Sequence, residues 1–135
     1  MARTPAVLAI VSAVAATLAP MPSAANHGEA KGRLEQRARA MTGGDPRAGR
    51  AAMAQRPCGG CHQIPGVTGA SGKVGPPLSG FASRTYIAGR LNNAPDNLVL
   101  WLKDPQAVDP QTAMPPMGLS DREARDMAAY LYTLK

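Results

Sequence analysis

The pentapeptide Cys58-Gly59-Gly60-Cys61-His62 holds both cysteines of the chain and one of its two histidines. Two thiols three residues apart, followed at once by an imidazole, are suited to three kinds of chemistry. They can add to the vinyl groups of one haem while the imidazole ligates its iron, form a redox-active dithiol, or supply part of a zinc site. Gly59 and Gly60 let the backbone turn tightly between the two thiols. The pentapeptide alone therefore favours covalent haem attachment but leaves the other two open.

The rest of the sequence weighs against these two alternatives. A structural zinc site needs four nitrogen or sulfur ligands, and the remaining histidine, His27, lies far away in the N-terminal stretch. A redox dithiol of the thioredoxin type belongs to an alternating pattern of strands and helices, and no convincing strand run is present. A hydrolase with a cysteine nucleophile would need another base nearby, and none is evident.

The N-terminus has the pattern of a secretory signal peptide. Arg3 supplies a positive start, Ala6–Ala19 is a run of small and apolar residues, and Ser23-Ala24-Ala25 offers a cleavage site. The run is shorter than the roughly 20 residues that a membrane-spanning helix needs, although retention as an anchor stays open. We therefore expect residues 1–25 to be a signal peptide and the protein to be periplasmic, where bacteria attach c-type haem.

The remaining chain is long enough for one small domain. Residues 26–43, with four basic and two acidic side chains, are expected to be a basic tail, flexible or partly helical, and residues 44–135 to be the domain. Aromatic residues make up 4% of the chain, so a buried haem would add apolar area that the side chains lack. Nucleic-acid binding needs a basic face with stacking aromatics, and the tail has none. The tail is instead compatible with an acidic partner or an anionic membrane surface.

Short helices separated by turn-rich loops must position the pentapeptide. Pro46 suits the first position of a helix that ends at Gln55, and the glycines and prolines of residues 64–80 predict a loop. Further helices are predicted over residues 85–91 and 95–104, and four prolines then favour an extended segment. A capping box at Ser120 and Glu123 opens a terminal helix to about Leu134. Its predicted buried face comprises Ala124, Met127, Ala128, Leu131 and Leu134.

A haem iron takes a second axial ligand or keeps an open site. The chain has seven methionines, so their number alone decides little. Met114 is the best candidate because it lies in the stiff proline-rich stretch and not on a helix face. Met117 is the alternative, whereas Met53 and Met127 fit helix cores better.

Residues 44–135 resemble the class I cytochromes c, which are small monohaem electron carriers with histidine and methionine ligands. The pentapeptide matches their haem motif, and Gly49 lies where their first and last helices cross closely. The stretch from Gly75 to Arg84 is similar to G-P-x-L-x-G-x-x-x-R, and the stretch from Leu98 to Met114 is similar to L-x-x-[YW]-L-x-[ND]-P…P-x-T-x-M. The resemblance implies an all-α cytochrome c fold, with three to five short helices wrapped around one covalently bound haem c.

The same resemblance assigns a role to each matching residue. It implies that Cys58 and Cys61 tether the haem, and that His62 and Met114 are the ligands of the iron. Four further residues take supporting roles: the Pro76 carbonyl accepts the histidine N–H, Arg84 supports a propionate, Trp101 lies beside the sulfur ligand, and Thr112 hydrogen-bonds a propionate.

We therefore expect an electron-transfer protein, not an enzyme, that shuttles single electrons through haem c as a monomer. Its expected partners are redox proteins: a dehydrogenase, a bc1-type complex or a terminal oxidase. Two alternatives stay open. One is an electron-carrying subunit of a dehydrogenase or oxidase complex, with the tail as its tether. The other is a haem enzyme or gas sensor with an open sixth position.

Overall fold

The computed structural model of the protein describes residues 24–135, more than half of which lie in helices. The elements in chain order are α1 (Ala24–Thr42), α2 (Pro46–Gln55), α3 (Cys58–Cys61), a 3₁₀ turn (Phe81–Ser83), β1 (Tyr86–Ile87), β2 (Leu91–Asn92), α4 (Pro95–Lys103), α5 (Pro105–Val108) and α6 (Asp121–Leu131). The predicted all-α class is confirmed, and residues 44–135 contain five α-helices, α2 to α6, within the three to five expected. Within residues 24–135, no helix is both long and apolar enough to cross a membrane. Residues 1–23 of the expected signal peptide lie outside the described part of the chain.

Helix α2 packs across α6 with backbone against backbone. A Cβ atom on Gly49 would collide with the carbonyl of Asp126, and one on Gly44 would collide with the carbonyl of Arg125. The same crossing is fixed by a hydrogen bond of 2.6 Å from the N–H of Asp45 to the Asp126 carboxylate. Because no other residue lacks a Cβ, both positions require glycine for this approach.

Helix α6 begins with the predicted capping box. The Ser120 hydroxyl accepts the Glu123 N–H at 3.2 Å, and the Glu123 carboxylate accepts the Ser120 N–H at 3.1 Å. Arg56 adds an ion pair to the same carboxylate. The residues predicted to face the core are all buried: Ala124, Met127, Ala128, Leu131 and Leu134. The helix itself ends at Leu131, and the last residues continue as turn and extended chain.

Residues 24–42, placed by the sequence analysis mostly in a flexible or partly helical tail, form one continuous helix, α1. Its C-terminal end belongs to the core, since Ala38 and Thr42 are each 1% exposed. The guanidinium of Arg125 donates to the Thr42 carbonyl at 3.2 Å and so fastens this end to α6. Residues 26–33 are exposed without a break, whereas the exposed positions farther along α1 alternate with the buried Ala38 and Thr42.

The predicted helix over residues 85–91 is wrong, because this segment is an antiparallel hairpin of β1 and β2. Ala88 and Gly89 take φ values of 50° and 68°, and the N–H of Arg90 donates to the Ile87 carbonyl at 2.9 Å. Two successive residues in the left-handed region make the tight turn that matches the twist of a hairpin. That conformation is incompatible with a right-handed helix.

The segment that the prolines predicted to be extended begins with the short helix α5. Pro105 occupies its first turn, where a missing N–H costs nothing. The Asp104 carboxylate accepts the Ala107 N–H at 3.1 Å and caps the helix. The chain is extended or turned only after Val108.

Gly49→Ala tests the helix crossing. We expect it to lower the free energy of unfolding by about 1–3 kcal/mol through overpacking, although alanine is the better helix former. Gly32→Ala on α1 is the matched control, since its added Cβ would meet nothing within 4 Å; it should raise stability by up to about 1 kcal/mol. Denaturant unfolding measures both. If both substitutions changed the free energy of unfolding in the same direction and by the same amount, the close crossing of the helices would be contradicted.

Glu123→Gln tests the charge at the start of α6. The Ser120 N–H, followed by Arg56, lowers the pKa of Glu123 from 4.5 to about 2. Because the folded pKa lies below the unfolded one, the charge stabilises the protein above pH 4.5, and this contribution is lost as the pH falls towards 2. Wild type should therefore exceed the variant in stability near neutral pH, and the difference should shrink in acid. Unfolding curves measured from neutral to acid pH test this prediction. A difference in the free energy of unfolding that stays constant with pH would refute it.

Candidate functional site

The two cysteines begin and end α3, a single turn of helix, and both are free and half-buried. The N–H of His62 donates to the Cys58 carbonyl at 2.9 Å, and the backbone at His62 then becomes extended. One turn of chain therefore presents two thiols and an imidazole close together. Burial raises the pKa of the Cys58 thiol.

The imidazole of His62 is fixed by the loop that follows it. Its Nδ1 lies 2.8 Å from the carbonyl oxygen of Pro76. A carbonyl oxygen can only accept, so Nδ1 carries the proton, and the neutral imidazole holds its lone pair on Nε2. A histidine whose tautomer is set by a carbonyl in this way is typical of metal ligands.

Glycines bring the backbone of this loop against the turn and the ring. A Cβ atom on Gly75 would lie 2.7 Å from Nδ1 of His62 and closer still to Cε1. The N–H of Gly75 donates to the Cys61 carbonyl at 2.8 Å, and the N–H of Gly72 donates to the Gly59 carbonyl at 3.0 Å. Any larger residue at position 75 would push the imidazole aside. The glycines and prolines of residues 64–80 predict a loop, but nothing in the sequence indicates that Gly72 and Gly75 approach the turn and the ring so closely.

The guanidinium of Arg84 forms hydrogen bonds with the same loop. Its Nη2 donates to the carbonyls of Pro77 and Ser79, the latter at 3.2 Å. Its Cζ lies 5.4 Å from the centre of the Phe81 ring, a distance at which the cation is attracted to the ring face. The contact with a propionate that the resemblance implied for Arg84 stays a prediction.

The backbone of Met114 is held on both sides. Its N–H donates to the Thr112 hydroxyl at 3.2 Å, and its carbonyl accepts from the Gln106 amide on α5 at 3.2 Å. The side chain is half-buried and packs against the core, as does that of Met117. The acceptor role of the Thr112 oxygen leaves its hydroxyl proton free to donate. The assignments of Met114 to iron and Thr112 to a propionate stay predictions.

The other predicted residues lie in the core. Trp101 is 9% exposed and lies on the buried face of α4 with Leu98 and Leu102. Met53 and Met127 are buried in helices, at 3% and 1% exposure. Trp101 thus has the burial that a residue beside a haem would need, and its predicted place beside the sulfur ligand is untested.

Two contacts that the sequence analysis missed pin the loop directly after His62. The Tyr130 hydroxyl donates to the Pro65 carbonyl, and the Arg50 guanidinium donates to the Gly66 carbonyl at 2.5 Å. These donors come from α6 and α2, so the crossing helices also set the path of the chain that leaves the site. Neither contact has a local sequence signal.

The assembled residues fit a covalently bound haem. Two free thiols lie three residues apart on one turn, the adjacent imidazole offers Nε2, and Gly75 places no Cβ against that ring. A thioether ligand is available in a segment whose backbone is fixed on both sides.

Comparisons with known proteins agree with this geometry. The family model described as Cytochrome c matches residues 46–135. The chain is 36% identical over 88 residues to cytochrome c oxidase subunit 2 of Alkalihalophilus pseudofirmus and 32% identical over 88 residues to the same subunit of Bacillus sp. strain PS3. These matches cover 64% and 62% of this chain but about a quarter, 25%, of each relative.

No solved structure matches the chain. The family match spans most of the chain and contains every residue of the site, and cytochrome c domains carry haem c and transfer electrons. The chain belongs to the cytochrome c family.

Proposed function

We propose that this protein is an exported carrier that passes single electrons through one haem c held by Cys58, Cys61, His62 and Met114. The observation that carries the proposal is the imidazole of His62, whose tautomer is fixed by Pro76 beside two free thiols. When bound, the haem supplies a one-electron couple at its iron. The chain would contribute attachment through the thiols of Cys58 and Cys61, and His62 and Met114 would bind the iron in both oxidation states.

The ligand set indicates the direction in which the protein tunes that couple. A methionine opposite a histidine raises the reduction potential relative to two histidines, and a buried site disfavours the added charge of the oxidised state. The hydrogen bond from Nδ1 to Pro76 acts in the opposite sense, because it makes Nε2 a stronger donor. The carrier role assigns no substrate to the iron, and we accordingly propose no catalytic residue.

The proposal includes the periplasm as the site of action and a docking encounter that is weak and brief. It is supported by the pattern of residues 1–25, which is that of a signal peptide. Two half-buried thiols near the surface mark the face through which a partner would exchange electrons. Transient redox encounters bury small interfaces, so a dehydrogenase, a bc1-type complex or a terminal oxidase each fit as partners.

A second candidate is suggested by the relatives. Both are named cytochrome c oxidase subunit 2, and this chain matches about a quarter of each. In this second candidate function, the protein is an electron-carrying component of an oxidase complex, and the exposed start of α1 tethers it to the other subunits. Residues 26–33 lie wholly outside the core, so they can engage a partner without disturbing the domain.

Met114→Ala tests the ligand assignment and the carrier role together. In the ferric protein, a bound methionine gives a weak long-wavelength absorption band, which we expect the variant to lose as it becomes high-spin and binds small ligands. Met117→Ala is the matched control, since Met117 is also half-buried and lies three residues away; it should keep the band. An unchanged spectrum for Met114→Ala, or a wild-type protein that is already high-spin, would favour the sensor or enzyme alternative.

Native purification from the periplasmic fraction distinguishes the shuttle from the complex subunit. A shuttle should elute alone, whereas a subunit should co-purify with oxidase activity in fixed proportion. Removing residues 26–32 spares Ala38 and Thr42 in the core, so the shortened protein should keep its fold and spectrum. If the oxidase is retained by the full chain and lost from the shortened one, the shuttle proposal is wrong.

A further inference from the structure

We propose that Asn93 is a positioning residue for the imidazole of His62, acting through Arg84 and the turn that contains Pro76. The proposal rests on the proposed function, in which His62 is an axial ligand. Asn93 is half-buried between β2 and α4. It lies in none of the motifs that carried the sequence analysis.

The side chain of Asn93 joins three segments of the chain. Its Nδ2 donates to the carbonyls of Phe81 and Arg84, each at 3.0 Å, and its Oδ1 lies 2.9 Å from the Tyr132 hydroxyl. Carbonyl oxygens only accept, so the amide nitrogen must face them and the amide oxygen must face Tyr132. The phenol therefore donates. Burial raises the pKa of Tyr132 to about 12, which keeps that proton in place.

Two of these hydrogen bonds hold the backbone of Arg84 and the residue, Phe81, whose ring the Arg84 guanidinium contacts. The bond to the Arg84 carbonyl fixes the backbone from which the guanidinium extends. The bond to the Phe81 carbonyl fixes the residue whose ring lies 5.4 Å below the Arg84 Cζ. From this position Arg84 donates to the carbonyls of Pro77 and Ser79.

The loop needs these outside donors because of its own sequence. Pro76 and Pro77 are adjacent, and neither has a backbone N–H. The backbone donors on either side, Gly75 and Leu78, bond to the carbonyls of Cys61 and Gln63 at 2.8 Å each. Arg84 donates to the Pro77 carbonyl, which belongs to the same peptide as the Leu78 N–H, so both polar groups of this peptide are held from outside the loop. The Pro76 carbonyl in turn receives the Nδ1 proton of His62 at 2.8 Å.

A purely structural role for the same residues is the competing explanation. Phe81 and Tyr132 also stack edge to face, with ring centres 6.1 Å apart and an angle of 74°, so this corner contributes to stability. Tyr132→Phe separates the two roles, since it keeps the ring pair and removes the hydroxyl that holds Asn93. Ser120→Ala provides a stability control at the opposite end of α6, where it removes the cap.

The test measures hydrogen–deuterium exchange of the His62 Nδ1–H by NMR in the reduced haem-bound protein, together with the reduction potential. Asn93→Leu should speed that exchange about fivefold or more, the change expected from losing one ordinary hydrogen bond, and should shift the potential. Tyr132→Phe should act in the same direction with a smaller change. Ser120→Ala should leave both readings at their wild-type values despite its lower stability.

The positioning role is wrong if Asn93→Leu exchanges at the wild-type rate, or if Ser120→Ala speeds exchange as much. If Asn93→Leu does not fold, Tyr132→Phe decides alone, and an unchanged rate for it rejects the role. A failure of the proposed function is visible separately, because the wild-type protein would then lack a low-spin spectrum with histidine ligation.

Discussion

The hydrogen bond from His62 Nδ1 to the Pro76 carbonyl is the contact on which the site depends. It decides which ring nitrogen carries the proton, and therefore which one can bind a metal. Its net contribution to stability is small, about 1 kcal/mol for an ordinary pair. Its effect on the structure is larger, because the Pro76 carbonyl must be held at hydrogen-bond distance from the His62 ring, which belongs to another segment of the chain. Gly75 meets part of that demand by leaving space, and Arg84 meets another part by holding the next carbonyl.

The frame around this contact relies on close backbone approach where large side chains are scarce. Helix α2 crosses α6 with Gly49 against the Asp126 carbonyl, and Gly72 lies against the backbone of Gly60 in the same manner. Backbone groups that touch directly have little freedom to slide, which compensates for a core with few aromatic residues. Tyr130 on α6 and Arg50 on α2 donate hydrogen bonds to the loop that leaves the site, so the crossing of the two helices also positions this loop.

Patterns that are local in sequence predicted their elements well. The bounds of α2 follow from Pro46 and the residues before Pro57, and the capping box marks the start of α6. The turn of β1 and β2 was missed because two left-handed residues, one of them Ala88, have no strong local signal. Within the site, the sequence marks the thiols, the imidazole and a methionine. The bonds of Asn93 join segments that meet only after folding, and no spacing rule could have revealed them.

The firm attachment of α1 has a consequence for distance. Arg125 holds the Thr42 carbonyl and Arg39 pairs with Asp45 at 2.8 Å, so the end of this helix has a set direction relative to the domain. Residues 26–33, the exposed first turns of this helix, span about 12 Å, so whatever binds there is held at a fixed place away from the core. Electron tunnelling weakens exponentially with separation. The heading of α1 thus limits which side of a bound partner can come near enough for rapid transfer.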